Sequence, residues 1–467
     1  MTRRVPKLES LFIATFVLLG FRLGVRRIGD NSMLTHIRTG IDMVHGGGIP
    51  RRDPYSWTAR DTPWVVQSWL PEWTYGWAHR FGGYRLIVLE QALLMAVLAW
   101  LIVRLTRAGS PLRTGMGGLL ALGIGVAFWA PRPLLFGLIC MALTVTIVER
   151  RRTTWLLVPV VWFWVQSHGS FPLGLAWLAA RAVGESLDWR ARPREALSYI
   201  GAFVAGLAVA VINPLAGRLL TFPFTLGDRR EAFERIVEWM SPNFQQGPGR
   251  VSLVFLVLSL LLLVRARLTW RDVVPVVGFL ALALVAARNM PVLAIVMAPV
   301  LGRTLRRPES TPSRQADVGG RPRLNSMVAA TLAVAFLLFG VSIWSKPGLR
   351  LSSYPGDAAT YLEQEGLLDR SHRIAHQDFV GNYLELRYGT RASVFVDDRY
   401  DMYPADVSRD YRRLLGARPE TQEILDRREV DVVLWVKDHP LTNLLLVSNR
   451  WREVYADDDW IVFRPNP

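Results

Sequence analysis

The chain carries one cysteine, Cys140, placed inside an apolar run. Disulfides are thereby excluded, and a thiolate catalyst, which needs an electropositive and accessible setting, is a poor candidate. Lysine is scarce too, with three against 52 arginines, a bias that fits a GC-rich genome and carries no mechanism. No small-residue cleavage site follows MTRRVPK and the apolar residues 9–25, so this start reads as a retained anchor. No inverted repeat of the kind many transporters carry is visible.

What the sequence has is hydrophobic length. Of its 467 residues 51% are hydrophobic, with 18 tryptophans and a formal charge of +16. A membrane span needs about 20 apolar residues, sometimes fewer. Candidate spans lie at 9–25, 84–103, 116–130, 134–149, 154–167, 171–187, 197–212, 251–264, 273–287, 290–302 and 326–344. The expected fold is therefore a polytopic α-helical membrane protein of about eleven spans. The basic charge could suggest nucleic acid, but its placement argues against it. The N-terminus and every second connection hold 21 lysines and arginines, whereas the short opposite connections hold only Arg132 and Arg288. Such asymmetry places the N-terminus and the basic loops in the cytoplasm.

The first long loop, 26–83, is too polar for a bilayer core and too patterned for a linker. From Asn31 to His45, Met33, Leu34, Ile37, Ile41 and Val44 share one helical face. Asn31 or Ser32 can cap that helix, with Asp30 just outside its start. Trp69, Trp73, Trp77 and Phe81 recur every fourth residue, an aromatic stripe suited to lipid headgroups. Two interfacial helices are expected here, with Asp30 held where the first span emerges.

Several spans are short, and polar groups gather at their outer ends: Arg132, His168, Asn213, Glu238, Trp239 and Arg288, besides Asp30 and Asp53. His168-Gly169 and Asn213-Pro214 are turn chemistry about twice as often as site chemistry. Arg132 and Arg288 could equally snorkel to headgroups, and Glu238 could equally be a solvated loop acid. Their common side is the functional signal.

Residues 303–325 form a basic, Pro/Gly/Ser-rich cytoplasmic linker, and 326–344 a last span. Residues 346–467 read as a soluble α/β domain outside the membrane. Ala392–Val396 and Val430–Val436 are expected as buried strands, with helices at DAATYLEQEGL and SRDYRRLLG. Asp397, Asp398 and Asp401 with Arg399 mark a strand-end site or, with more weight, a surface salt-bridge cluster.

An acid just beyond the first span, followed by a loop with two interfacial helices, resembles the GT-C superfamily of integral membrane glycosyltransferases. The string D-x-S-x-x-x-H-x-R-T-G (Asp30–Gly40), with IPRRDPYSWT, W-x-x-x-x-WL, RPLLFG, HGSFPLG, NPLAG, EWMSP and DDRYDMY, resembles an uncharacterised bacterial GT-C-like family with a C-terminal periplasmic domain. The resemblance implies a GT-C-like transmembrane domain over 1–302 in the bacterial inner membrane. It implies transfer of a sugar from a polyprenyl-phosphate donor to an envelope glycan, lipid or protein. Asp30 matches the acid used as general base or metal partner, with His36 and Glu238 as further catalytic candidates. Arg132 and Arg288 suit the donor phosphate, and Asp53, His168, Asn213 and Trp239 suit substrate. Relatives often carry a second acid where Ser32 stands, so a divalent metal stays open. The alternatives are a non-catalytic GT-C-like envelope-assembly partner and a transporter. Membrane lipids are expected partners, and nucleic acid is not.

Overall fold

The computed structural model describes residues 6–189, 194–225, 236–306 and 322–467. Arg3, Arg4, Arg190, Arg192 and the linker residues 307–321 lie outside the described residues. In chain order the helices are α1 (Leu8–Gly24), α2 (Asn31–Asp42), α3 (Trp69–Leu105), α4 (Pro111–Gly125), α5 (Leu134–Glu149), α6 (Leu157–Ser167), α7 (Pro172–Trp189), α8 (Arg194–Val209) and α9 (Arg218–Thr225). Then come α10 (Gly247–Val264), α11 (Trp270–Val285), α12 (Met290–Leu305) and α13 (Pro322–Trp344). The C-terminal residues add α14 (Gly356–Gln364), α15 (Asp378–Tyr388), α16 (Ala405–Leu415), α17 (Thr421–Arg427) and α18 (Pro440–Leu446). They also add strands β1 (Ile374–Ala375), β2 (Val432–Val436), β3 (Trp451–Ala456) and β4 (Trp460–Pro465).

Two compact units result. The helical unit draws on the described parts of Met1–Arg27, Gly82–Pro223 and Glu234–Gly348, and the second on the described parts of Ile28–Phe81, Phe224–Phe233 and Leu349–Pro467. The linker proves shorter than 303–325, because α12 continues to Leu305 and α13 starts at Pro322. Arginine and threonine at 303–305 are adequate helix formers, and no breaker stands before Pro308.

In the helical unit α12 is buried at every residue from Met290 to Gly302, the condition of a helix apolar on all sides. It packs against α4, α5 and α11. Helix α13 is the opposite case, with Val334, Leu337, Leu338 and Val341 exposed. Stable exposure of that much apolar surface suits lipid. The helices over Trp69–Leu105, Pro111–Phe128, Gly247–Val264 and Pro322–Trp344 are long and apolar enough to cross a membrane. One polar cluster ties the helix ends together. Arg181 of α7 pairs with Glu149 of α5 and with Glu185 at 3.1 Å, while Arg303 of α12 pairs with Glu149 and with Asp272 of α11 at 2.5 Å. Each buried charge there has an opposite partner, which offsets its desolvation.

The second unit has a four-stranded sheet in the order β1-β2-β4-β3. β1 and β2 run parallel, and the other pairs are antiparallel. The hairpin β3–β4 was not expected from sequence, since charged residues interrupt WREVYADDDW. Ala392–Val396 is buried as expected but makes only an isolated bridge, Ser56 to Val394, instead of a ladder. His376 holds this segment, accepting the Phe395 N–H on Nε2 at 2.8 Å and donating from Nδ1 to the Gln377 carbonyl at 2.9 Å. Burial pulls its pKa down to about 4, which keeps the ring neutral.

The loop between the first two spans belongs to this second unit. Tyr55, Ala59, Trp64 and Val66 share a buried core with Phe395, Val433, Trp435 and Phe463. Helix α2 forms where its spacing predicts, but Met33, Leu34 and Ile37 are buried in protein, with α2 packed on α15. Its apolar face therefore is not the one offered to headgroups. Of the aromatic stripe of α3, Trp73 and Phe81 are exposed and Trp77 stacks on Phe81 at 5.5 Å, whereas Trp69 packs against the core. Two glycines set the crossing of α2 over the start of α3. A Cβ at Gly40 would stand 1.9 Å from the Glu72 carbonyl oxygen, and one at Gly76 would stand 2.0 Å from the Gly40 oxygen. Helix α3 then breaks at Gly83, whose φ of 63° is open to glycine and strained for most residues.

Candidate functional site

Asp30 sits at the N-cap of α2, where its Oδ1 accepts the Met33 N–H at 3.3 Å. The side chain thus answers one of the unpaired donors at the helix start and its partial positive charge. A second carboxylate reaches the same helix start from far along the chain. Asp398 accepts Asn31 Nδ2 at 2.8 Å and Ser32 Oγ at 2.5 Å. Tyr354 feels both acids: burial, then Asp30, then Asp398 push its hydroxyl well above the usual range. The Ser32 hydroxyl thus donates to a carboxylate supplied from the far end of the chain.

One turn on, the close crossing at Gly40 and Gly76 brings His36 to Glu72, with Nδ1 and Oε1 2.6 Å apart. Glu72 is 3% exposed, and its Oε2 has no hydrogen-bond partner among the described residues. The pair can orient an imidazole whose other nitrogen is left for chemistry.

Asp53 is placed differently from the expectation. It is 1% exposed and its two oxygens accept the N–H groups of Tyr55 and Ser56 (both 3.1 Å), the Ser56 hydroxyl and Arg399 Nη1 at 2.8 Å. No lone pair points at a substrate, so its role is to build the loop. The DDRYDMY cluster is likewise interior, not a surface salt-bridge network. Arg399 meets Asp53, Glu385 at 3.0 Å and Asp397 at 2.6 Å, and its guanidinium lies 4.5 Å from the Trp64 ring centre and 5.0 Å from that of Tyr55. Three buried acids around one cation cannot all ionise cheaply. Burial and the neighbouring Asp397 push the Glu385 carboxyl up, so it stays protonated. Burial would raise Asp397 too, but Arg399 holds it at about 2. Tyr403 adds a hydrogen bond to Asp397 at 2.5 Å.

In the helical unit the outer-end residues gather around two short turns. The 3₁₀ turns Val237–Trp239 and Ala287–Asn289 are joined by the Ala287 N–H donating to the Met240 carbonyl at 2.9 Å. There Arg132 Nη1 donates to Glu238 Oε1 at 2.7 Å, and the Arg288 guanidinium lies 4.3 Å from the Trp239 ring centre. Arg288 and Asn289 also line a small cavity with Gly137, Trp164 and Ser170. His168 borders it through the Ser170 N–H, which donates to Nδ1 at 3.2 Å. Asn213 is not part of this group. Its amide donates to the carbonyls of Ala210 at 2.7 Å and Ala216 at 3.0 Å, and its oxygen accepts the Leu215 N–H at 2.6 Å. That is complete turn chemistry.

The expected residues thus divide: Arg132, Glu238, Trp239, Arg288 and His168 meet in the helical unit, while Asp30 and His36 sit on α2 in the other. Sequence reasoning named Asp398 only within the DDRYDMY cluster, not at the start of α2, and did not single out Glu72. The acid-rich DDRYDMY string was the available signal for the first, and nothing local marked the second. Among the described residues no group of three or more His, Cys, Asp or Glu side chains is arranged to hold a metal ion.

No family model matches the chain, and no curated protein matches it. Among solved structures, ArnT from Cupriavidus metallidurans bound to undecaprenyl phosphate is similar over 97% of this chain and 97% of its own, with 13% identity and a TM-score of 0.51. The archaeal oligosaccharyltransferase AglB from Archaeoglobus fulgidus, in complex with an inhibitory peptide and a dolichol-phosphate, is similar over 91% of this chain and 69% of its own, with 10% identity and a TM-score of 0.49. At this identity the likeness is one of fold. The chain shares the fold of ArnT, and its apolar helices suit a membrane.

Proposed function

We propose that the chain is a membrane glycosyltransferase that moves a sugar from a polyprenyl-phosphate donor to an acceptor on the extracytoplasmic side of a bacterial inner membrane. The reading is carried by one observation, the carboxylate of Asp30 fixed at the start of α2 in a GT-C-like fold. It is supported by the undecaprenyl phosphate bound to ArnT. In the reaction the acceptor hydroxyl gives up its proton, its oxygen bonds to the anomeric carbon, and the bond from that carbon to the lipid phosphate breaks. A base must take the proton, and cations must stabilise the departing phosphate. Asp30 takes the first role, with Asp398 beside it and the His36–Glu72 pair as the next proton acceptor. In the helical unit, Arg132 and Arg288 suit a lipid-linked phosphate, since a guanidinium matches phosphate oxygens in two places at once. Glu238 and Trp239 hold these arginines until the phosphate arrives. The 21-to-2 distribution of basic residues supports the orientation, N-terminus inside and second unit outside.

The second reading, a non-catalytic GT-C-like partner in envelope assembly, draws on Ser32 standing where relatives carry an acid. Incubating the purified chain with a radiolabelled polyprenyl-phosphate sugar and an envelope extract separates the two. The enzyme releases or transfers the label, whereas the partner leaves all of it on the lipid.

A further inference from the structure

The second unit contains a cleft that the transfer reaction does not use. It has a volume of about 490 Å³, in the range of small-molecule sites, and five arginines line it: Arg60, Arg370, Arg373, Arg427 and Arg428. Trp57 lines it too, half-buried and stacked on Phe395 with ring centres 5.4 Å apart. The Trp57 ring is fixed by its indole N–H, which donates to the Ile374 carbonyl at 3.2 Å.

The arginines fall into two sets. Arg373 pairs with Glu429 at 2.7 Å, Arg427 with Asp410 at 2.9 Å, and Arg428 with Asp406 at 2.7 Å and Asp410 at 2.6 Å. These three are neutralised and held. Arg60 and Arg370 are not: among the described residues neither meets a carboxylate within 4 Å. Arg370 donates to the carbonyls of Thr390 at 2.5 Å and Pro54 at 2.8 Å, which fixes its guanidinium without cancelling its charge. Burial and then the nearby Arg60 lower its pKa, while Asp53 and Asp61 act the other way without cancelling the effect. Two cations in a concave, water-filled site repel each other unless an anion lies between them.

The geometry points to this cleft as a binding site for a phosphate group carried on a small polar body such as a sugar. Arg60 and Arg370 supply the charge, and Trp57, stacked on Phe395 with the Arg373 guanidinium 5.8 Å from its ring centre, forms a rigid polar-edged wall for the sugar. Forked arginine donors match phosphate oxygens, and the charged lining rules out an apolar ligand. The phosphate could belong to a soluble sugar phosphate or to a lipid headgroup.

The test uses the full chain carrying Arg132→Ala and Arg288→Ala, so that those two sites do not contribute. Calorimetric titrations in neutral detergent use glucose 1-phosphate, inorganic phosphate and glucose. The first two are expected to bind and glucose is not. Arg60→Ala should weaken binding about tenfold or more, the scale of one charged hydrogen bond, and adding Arg370→Ala should abolish it. Arg60 is exposed, so an unchanged melting temperature in Arg60→Ala confirms that the fold is intact. Repeating the titration in phosphatidylglycerol and phosphatidylcholine nanodiscs identifies the source. A sugar-phosphate signal lost only with phosphatidylglycerol makes the headgroup the occupant, and a signal kept in both makes it soluble. The proposal is overturned if neither phosphate compound binds, or if the Arg60→Ala/Arg370→Ala chain binds them as before. No transfer is measured, so an inactive chain leaves the proposal standing.

Discussion

Among the arginines that lie over a tryptophan, Arg399 and Arg288 do opposite things. Arg399, in the second unit, is 4.5 Å from the Trp64 ring centre and meets three carboxylates within 3.0 Å. Arg288, in the helical unit, is 4.3 Å from the Trp239 ring centre, and no carboxylate among the described residues lies within 4 Å of it. The ring contact is shared. What differs is whether the guanidinium donors are already spent. Arg399 uses its donors to hold a loop, a helix and a buried turn together. Arg288 keeps its donors, and a cation with unspent donors beside a cavity can receive an anion. Arg399 is buried with its donors spent, whereas Arg288 is partly exposed and lines a cavity.

The sharpest way to break this comparison is Arg399→Leu. Asp53, Asp397 and Glu385 would be left buried without a cation, a loss of about 3–5 kcal/mol. Thermal unfolding and limited proteolysis of the purified chain should report a disordered second unit. A melting temperature equal to wild type would mean that the acids carry no charge to balance.

A smaller effect is expected at Asp30, where the fold is not at stake. Asp30→Asn keeps a capping side chain but removes the base, so transfer should fall on the order of 10²-fold at normal abundance. Full transfer by this variant would reduce Asp30 to a helix cap and move attention to Glu238. Asp398→Asn sharpens the same point: a positioning acid lowers the rate and shifts its pH profile, whereas a structural one changes only stability.

Arg288→Ala and Arg132→Ala should each weaken donor binding by about 1.5–3 kcal/mol, the scale of a charged hydrogen bond. Arg→Lys should rescue only in part, because the planar fork is lost. Equal donor affinity in wild type and both alanine variants would return these arginines to headgroup snorkelling.

The smallest effect concerns pH. The Glu385 carboxyl is raised above its ordinary 4.5 by burial and by Asp397. The folded chain then holds a proton that the unfolded chain releases. Its contribution is present below pH 4.5 and is lost as pH rises toward the folded value. Glu385→Gln keeps a donor to Asp397 without the titration. Its stability should decline less than that of wild type as pH rises above 4.5, as read by melting temperature across pH 5–8. Parallel curves would show that Glu385 is ionised in the folded chain.

The sequence by itself determined the apolar helices, because a run of nonpolar residues long enough to span lipid is a local property. It also determined α2, whose period is helical and whose cap is adjacent in the chain, and it singled out Arg132, Glu238, Trp239 and Arg288 by their common side. Tertiary structure alone decided which charges are spent. Asp53 and Arg399 stand 346 positions apart, although Asp397 and Glu385 lie 2 and 14 positions from Arg399. No local pattern shows that their partners saturate them. The same holds for Asp398 at the start of α2 and for Glu72 against His36, where two glycines let backbones touch. Burial and pairing are sums over distant neighbours, and those sums exist only once the chain has folded.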